Sequence, residues 1–420
     1  MFLLYNLALT LFAPLWAPWM FWRARRRKEA PNWRERMGEY GFERRKDGHR
    51  IWLHAVSVGE VMAALPILER LRVHVPDHEI VLSVTTSSGH RTATDRAAGL
   101  FDRLVYFPID VPRFQLSAMQ RVQPCVVAIM ETELWFNFLW AARTFGAGTL
   151  LVNGRISDRS FPRAKFLRFF YSRLLSMVDR CLMQTKTDAE RILALGARSA
   201  EVLGNSKFDG AAGEPATDIR ALRESLIGDA ENDDRIVVVG STRSSEEEDF
   251  VIEALGETIA DGVRVIHAPR HLERAAQLHQ KAVAAFGQAA LRSRGETGRY
   301  LVLDTYGELA AAYALADVAI VGGGFGHHGG QNIIQPLAHG KPVLFGPHMD
   351  NFRDAAASAV AAGAGKVCAT PEELRRAVHD LLADDRQRTR MGAAGAELVR
   401  ASAGASERYA LAIKAACSAG

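Results

Sequence analysis

The 420-residue chain is poor in cysteine. Its four cysteines, Cys125, Cys181, Cys368 and Cys417, are scattered and form no C-x-x-C pair. Such spacing argues against a metal site or a disulfide framework and fits a reducing compartment. The chain also lacks an excess of either charge. Lys and Arg number 52 against 48 Asp and Glu, a net +4, so no general nucleic-acid role follows. No repeat period, low-complexity tract or heptad pattern is present, which excludes solenoids, linkers and coiled coils. What remains is a globular composition with 48% hydrophobic residues. The length suggests two domains of about 180 residues plus extras.

One long hydrophobic run stands out, from Met1 to Trp22, ending at Arg23, Arg25, Arg26, Arg27 and Lys28. About 20 apolar residues suffice to span a bilayer core as a helix. Pro14 and Pro18 would kink that helix, and Trp16, Trp19 and Trp22 suit its interfaces. The positive charge follows the run rather than preceding it, so a cleaved signal peptide fits poorly. The expectation is a membrane anchor over residues 1–28, with the remaining chain on the cytoplasmic side. The competing reading is a hydrophobic helix packed on the protein.

Beyond the anchor, short apolar runs alternate with helical patterns. Ile51 to Ala55, Ile80 to Val84, Leu104 to Phe107, Cys125 to Met130, Leu150 to Asn153 and Cys181 to Thr185 read as strands. The alternation resumes with Ile236 to Val239, Val263 to Ala268, Leu301 to Asp304, Val318 to Val321 and Pro342 to Phe345. Strands alternating with helices imply α/β units, each a doubly wound parallel sheet. The Ala-, Gly- and Asp-rich stretch 210–234 separates them. The expected domains are 29–212 and 213–420, with a last helix able to pack back on the first domain.

Ligands of open α/β sheets bind at the carboxyl ends of the strands. Glu60 follows the first strand and opens a helix; Glu131 and Glu133 follow the fourth. Four loops of the second half occupy the same edge: 240–243, 269–271, 305–309 and 322–335. The last, Gly322 to Pro336, joins glycines to a helix start and predicts a phosphate cradle. Asn332 and Gln335 would share a face of that helix and hydrogen-bond a ribose. The segment Arg155 to Arg173 interleaves Arg155, Arg159, Arg163, Lys165, Arg168 and Arg173 with five aromatics. It suits an anionic lipid surface or a phosphorylated amphiphile.

Several motifs resemble one family. They are Ser57-Val58-Gly59-Glu60, Met130-Glu131-Thr132-Glu133-Leu134-Trp135, Asn153-Gly154-Arg155-Ile156-Ser157, Gly204 to Asp209, Ala268-Pro269-Arg270-His271 and the 322–336 loop. In this order they resemble the 3-deoxy-D-manno-oct-2-ulosonic acid (Kdo) transferases, glycosyltransferases of the two-Rossmann GT-B kind. The resemblance implies a metal-independent, inverting enzyme without cofactor, moving Kdo from CMP-Kdo to lipid IVA at the inner membrane in lipopolysaccharide assembly. It implies Glu60 as general base, with Glu131 and Lys207 steadying the transition state. Ser57, Gly59, Glu133, Arg155, Arg159 and Arg163 would serve the acceptor. Pro269, Arg270, Gly307, Glu308, Leu309, Asn332, Ile333, Ile334 and Gln335 would hold CMP.

Two positions depart from the family pattern: Gln335 stands where glutamate is usual, and Phe136 where proline is usual. Glutamine keeps the hydrogen bonds and loses the charge. No D-x-D triplet occurs, in keeping with a donor that carries one phosphate and needs no metal clamp. A UDP-sugar transferase or epimerase of the same fold is the alternative chemistry. A non-catalytic module binding anionic lipid is the alternative class.

Overall fold

The computed structural model describes residues 1–26, 32–43, 49–158, 160–212, 218–228 and 234–418. It comprises two compact units, Met1–Gly210 with Ala403–Gly420, and Ala211–Ser402. The first unit holds strands β1 (Arg50–His54), β2 (Glu79–Val84), β3 (Arg103–Tyr106), β4 (Val126–Met130), β5 (Gly148–Gly154), β6 (Arg180–Met183) and β7 (Ala200–Val202). All pair in parallel, in the order β3-β2-β1-β4-β5-β6-β7. The order reverses between β1 and β4, so these two neighbours flank the switch point of the sheet.

The central strand β4 is wholly apolar and its neighbour β1 wholly buried, because both faces of the sheet are covered there. Trp52 of β1 packs into a core with Phe138 and Leu139, while Ile51 and Leu53 enter the opposite core. That second core includes Val61, Ile67 and Leu71 of the helix Val58–His74. It also takes Tyr409 and Ile413 of the C-terminal helix Ala405–Ser418, which thus completes the first unit.

The second unit repeats the scheme with β8 (Ile236–Thr242), β9 (Arg264–Pro269), β10 (Ala290–Leu291), β11 (Tyr300–Val302), β12 (Val318–Val321), β13 (Val343–Phe345) and β14 (Gly365–Val367). The parallel order is β10-β11-β9-β8-β12-β13-β14, with the reversal between β8 and β12. The strands β10 and β14, two and three residues long, carry too few side chains for any sequence periodicity.

The N-terminal run differs from the expected single helix. It forms two helices, Phe2–Leu11 and Ala13–Arg26, and no helix among the described residues is long and apolar enough to cross a membrane. Two polar side chains within the first helix dock it on the unit. Tyr5 donates its hydroxyl to Asp110 Oδ2 at 2.8 Å, and Asn6 and Asn137 exchange amide hydrogen bonds of 2.9 and 2.8 Å. Phe2 and Tyr5 pack on Trp140, Phe136 and Phe170. Burial pushes the Asp110 carboxyl up to about 6, against the bonds it accepts from Tyr5, Asn137 and Phe138. The first helix is therefore docked on its own domain, as the competing reading had it. Arg27 and Lys28 of the expected anchor lie outside the described residues.

The cysteines bring a second correction. Cys125 and Cys417 are joined as a disulfide, 292 positions apart with Cα atoms 5.0 Å from each other. Their sequence separation hid the pairing, which arises only because the C-terminal helix lies against the first sheet.

Asn137→Ala should cost roughly 1–3 kcal/mol, since it leaves buried polar partners unsatisfied. Chemical denaturation measures the loss, and limited proteolysis should cut the N-terminal helix faster than in the unaltered chain.

Candidate active site

The switch point of the first unit brings two carboxylates to one edge. After β1 the chain turns at Ser57, the N-cap of Val58–His74, and Glu60 falls in the first helical turn. Its side chain folds back, so that Val56 N donates to Oε2 at 2.9 Å and Ser57 Oγ to Oε1 at 3.4 Å. Burial pushes the Glu60 carboxyl up to about 8, and the neighbouring charges of Glu131 and Glu133 add to the shift. Glu60 thus holds a proton that an ordinary glutamate would have lost.

Glu131 follows β4 in the left-handed region, at φ 55°. Such a conformation costs a glutamate about 1–3 kcal/mol and needs compensation from its surroundings. Lys207 Nζ donates to Oε1 at 2.8 Å and Arg155 Nε to Oε2 at 3.0 Å. Burial acts to raise this carboxyl, but the two cations outweigh it and hold Glu131 below the usual carboxylate range. Glu133, raised by burial and by Glu131, lies beside the pair. One carboxyl that keeps its proton therefore stands near one that stays ionised, a combination typical of acid–base sites.

Asn153 sets the position of Lys207. It too is left-handed, at φ 53°, and its Oδ1 accepts from Ser206 N at 3.2 Å. Ser206 Oγ in turn donates to Ala63 O at 2.8 Å, tying the segment before Lys207 to the helix that carries Glu60. Asn153 Nδ2 and Trp135 Nε1 are buried donors without a hydrogen-bond partner, a condition that commonly marks a ligand or water position. Neither was singled out by sequence; both lie inside quoted motifs. The acceptor residues separate: Gly59 faces open space, Ser57 touches Glu60, and Arg155 is committed to Glu131. Arg163 is exposed on the helix Phe161–Phe166, and Arg159 lies outside the described residues.

In the second unit, the loops after β8 and β12 meet at the other switch point. The expected phosphate cradle is occupied from within. Glu247 Oε1 accepts from Phe325 N at 3.0 Å and Gly326 N at 3.3 Å, and its Oε2 accepts from Arg243 N at 2.8 Å. The loop does present amides to an anion, but that anion is a buried side chain joining the two loops. Gly322 is required for their approach, since a Cβ there would lie 2.7 Å from Thr242 N and Cα. The helix after the loop begins only at Ile334 and runs to Ala338. Asn332 and Gln335 therefore share no helical face. Asn332 precedes the helix, its Oδ1 accepting from Ile334 N at 3.0 Å in a local turn, while Gln335 lies half-buried in the first helical turn. Ile333 and Ile334 are fully buried core residues.

Pro269 ends β9, and the exposed Arg270 follows it. Partial desolvation and the Arg243 charge lower the Arg270 pKa, so two guanidinium groups stand close enough to repel. An anion between them would relieve that repulsion. Beneath them Thr242 Oγ1 meets His267 Nε2 at 2.9 Å and His267 Nδ1 meets Tyr300 Oη at 2.5 Å. Burial drives His267 down to about 3 and keeps it neutral. Glu308 is held by Arg292, at 2.9 Å, and by Thr305. Gly307 supplies φ 89° to the turn before it, and Leu309 starts a short helix.

The two parallel-sheet units are of the GT-B class. Similar structures include a UDP-N-acetylglucosamine 2-epimerase from Neisseria meningitidis (12% identity, TM-score 0.61, 88% of this chain and all of that one). Another is MurG from Acinetobacter baumannii (16%, TM-score 0.56, 87% and 99%). At such identity they show the fold alone. Sequence places the chain more narrowly. Residues 31–210 match the family model for 3-deoxy-D-manno-octulosonic-acid transferase. The Bordetella pertussis 3-deoxy-D-manno-octulosonic acid transferase is 36% identical over 96% of both chains. Its Haemophilus influenzae counterpart is 30% identical over 90% of this chain and 91% of its own. The protein belongs to the Kdo transferase family.

Lys207→Met should cost roughly 3 kcal/mol at pH 7, because it strips a partner from a buried charge. The Glu131 pKa is depressed in the fold, so the ion pair stabilises above the ordinary carboxylate pKa and less as the pH falls through the depressed value. Denaturation at pH 7 and pH 4 should show the deficit shrinking in acid.

Proposed function

We propose that this protein transfers Kdo from CMP-Kdo to lipid IVA in lipopolysaccharide assembly, by a metal-independent inverting displacement. The observation that carries the reading is the buried Glu60, with its pKa pushed up to about 8, near Glu131, which Lys207 and Arg155 hold below the usual carboxylate range. Glu60 takes the proton from the acceptor sugar hydroxyl as that oxygen attacks the anomeric carbon of Kdo. The bond from that carbon to the CMP phosphate breaks at the same time, and inversion needs no covalent enzyme intermediate. Glu131 faces the developing positive charge of the sugar, and Lys207 serves the departing phosphate. Arg243 and Arg270 bind the phosphate of CMP, and Gln335 hydrogen-bonds the nucleoside without adding charge. The missing D-x-D triplet supports metal independence. Family membership supports the choice of donor.

The protein works at the inner membrane by lying on its cytoplasmic surface. Leu3, Leu4, Leu7 and Leu11 are exposed on the first helix, and Phe166 and Phe169 are 89% and 80% exposed beside Arg163, Lys165 and Arg168. Tyr5 packs against Phe170, which makes these surfaces neighbours within one unit. Apolar side chains ringed by arginine and lysine suit an anionic bilayer surface.

Incubation with CMP-Kdo and lipid IVA should add Kdo to the lipid, read by mass spectrometry. Glu60→Gln should abolish the addition while thermal protection by CMP survives. Turnover by that variant, or protection by UDP in place of CMP, would overturn the assignment. Below pH 8 Glu60 is mostly protonated and unable to act as base. The rate should therefore rise about tenfold per pH unit up to a plateau near 8. A raised folded-state pKa favours the fold at low pH and loses that advantage as the pH passes about 8. Glu60→Gln should accordingly raise Tm at pH 9 relative to the unaltered chain and leave it little changed at pH 4.

Phe166→Ser with Phe169→Ser should weaken binding to phosphatidylglycerol vesicles by about tenfold or more, from the apolar area lost. Equal flotation of variant and unaltered protein would remove this surface from the role.

A further inference from the structure

The edge of the first sheet opposite Glu60 and Glu131 carries a second cluster. Cys125 precedes β4, His78 precedes β2, and Cys417 lies in the last turn of the C-terminal helix. One ligand atom from each lies within 4.8 Å of the other two, and all three residues are half-buried. We infer that, once reduced, Cys125, Cys417 and His78 form a zinc-type cation site that pins the C-terminal helix to the first unit.

The donor set decides the class of ion. Two thiolates and an imidazole suit zinc and its borderline neighbours, and not magnesium or calcium, which take oxygen. The ligands come from three separate segments with fixed backbones. Cys125 N donates to Arg50 O at 2.9 Å, and His78 N donates to Val75 O at 3.1 Å. The cysteine Cα atoms, 5.0 Å apart, allow two sulfurs to face one ion. The His49 ring stacks on His78 with centroids 5.0 Å apart and helps fix the orientation of that imidazole.

The site has work to do in the fold. The front of the C-terminal helix is already held: Ser406 N donates to Asp209 at 2.6 Å, Glu407 meets His74 at 2.5 Å, and Tyr409 Oη donates to Gly204 O at 2.6 Å. Its end is held through Cys417. In the oxidised chain the clamp is the disulfide; in the reduced chain it is the ion. A phosphine reductant takes oxygen from water and gives two electrons to the disulfide, leaving two thiols. Binding of the divalent ion then releases two protons as both sulfurs become thiolates. The position, at the amino ends of β2 and β4, makes the ion structural and leaves the transfer reaction free of metal.

The test uses the full-length chain reduced with tris(carboxyethyl)phosphine, loaded with zinc sulfate and gel-filtered. Elemental analysis should find one zinc per chain. Cys125→Ser with Cys417→Ser should retain less than a tenth of that. His78→Ala should weaken zinc binding tenfold or more against a chromophoric chelator. Cobalt in place of zinc should give a thiolate charge-transfer band in the unaltered chain. His78→Ala leaves both thiols in place, so its cobalt spectrum decides the matter if the serine variant misfolds: loss of tetrahedral d–d intensity supports the site. A reduced chain without bound zinc, zinc retained by the folded serine variant, or an unchanged cobalt spectrum in His78→Ala would overturn the inference.

Discussion

The Glu131 carboxylate is the interaction on which the first unit depends. It is buried, its backbone is in an unfavourable region, and each of its oxygens is paired with a cation from a different segment. The strain at φ 55° persists because Lys207 and Arg155 over-determine the geometry. Holding Glu131 ionised has a second effect: its charge helps keep the proton on Glu60. One ion-paired carboxylate thus stabilises its own loop and tunes its neighbour. The shared cause is proximity at a sheet switch point, where β1 and β4 lie side by side although 71 residues separate Glu60 from Glu131.

The second unit uses the same topology with a different filling. Its switch-point loops are joined by Glu247, which occupies the amides that a phosphate was expected to take. The glycines there serve close packing, with Gly322 against Thr242 and Gly346 against Gly324. Arg243 and Arg270 stand close enough for the Arg243 charge to lower the Arg270 pKa.

Much of the architecture was legible from periodicity. Ile51 to Ala55 and Val318 to Val321 read as strands because buried parallel strands need apolar side chains on both faces. Alternating strands and helices implied doubly wound sheets, and the carboxyl-end rule singled out Glu60 and Glu131. The failures have physical reasons too. Residues 331–333 look like a helix start, yet the Asn332 side chain closes a local turn onto Ile334 N, where the helix begins. The N-terminal run has membrane-like composition, but Tyr5 and Asn6 find buried partners 105 and 131 residues away. Glu247 carries no sequence mark of its role, because its bond to Phe325 spans 78 residues.

The sequence by itself determined the strand-forming segments, the edge on which the acidic residues stand, and the family to which the chain belongs. These follow from short-range pattern and from motifs of a few residues. Only the tertiary structure decided the ionisation of Glu60, the pairing of Glu131 with Lys207 and Arg155, the internal occupation of the glycine loop, the docking of the first helix and the meeting of Cys125 with Cys417. Each of these depends on burial or on contact between distant segments. Desolvation and Coulomb energies are set by distance in space, and distance in space is what a linear sequence does not record.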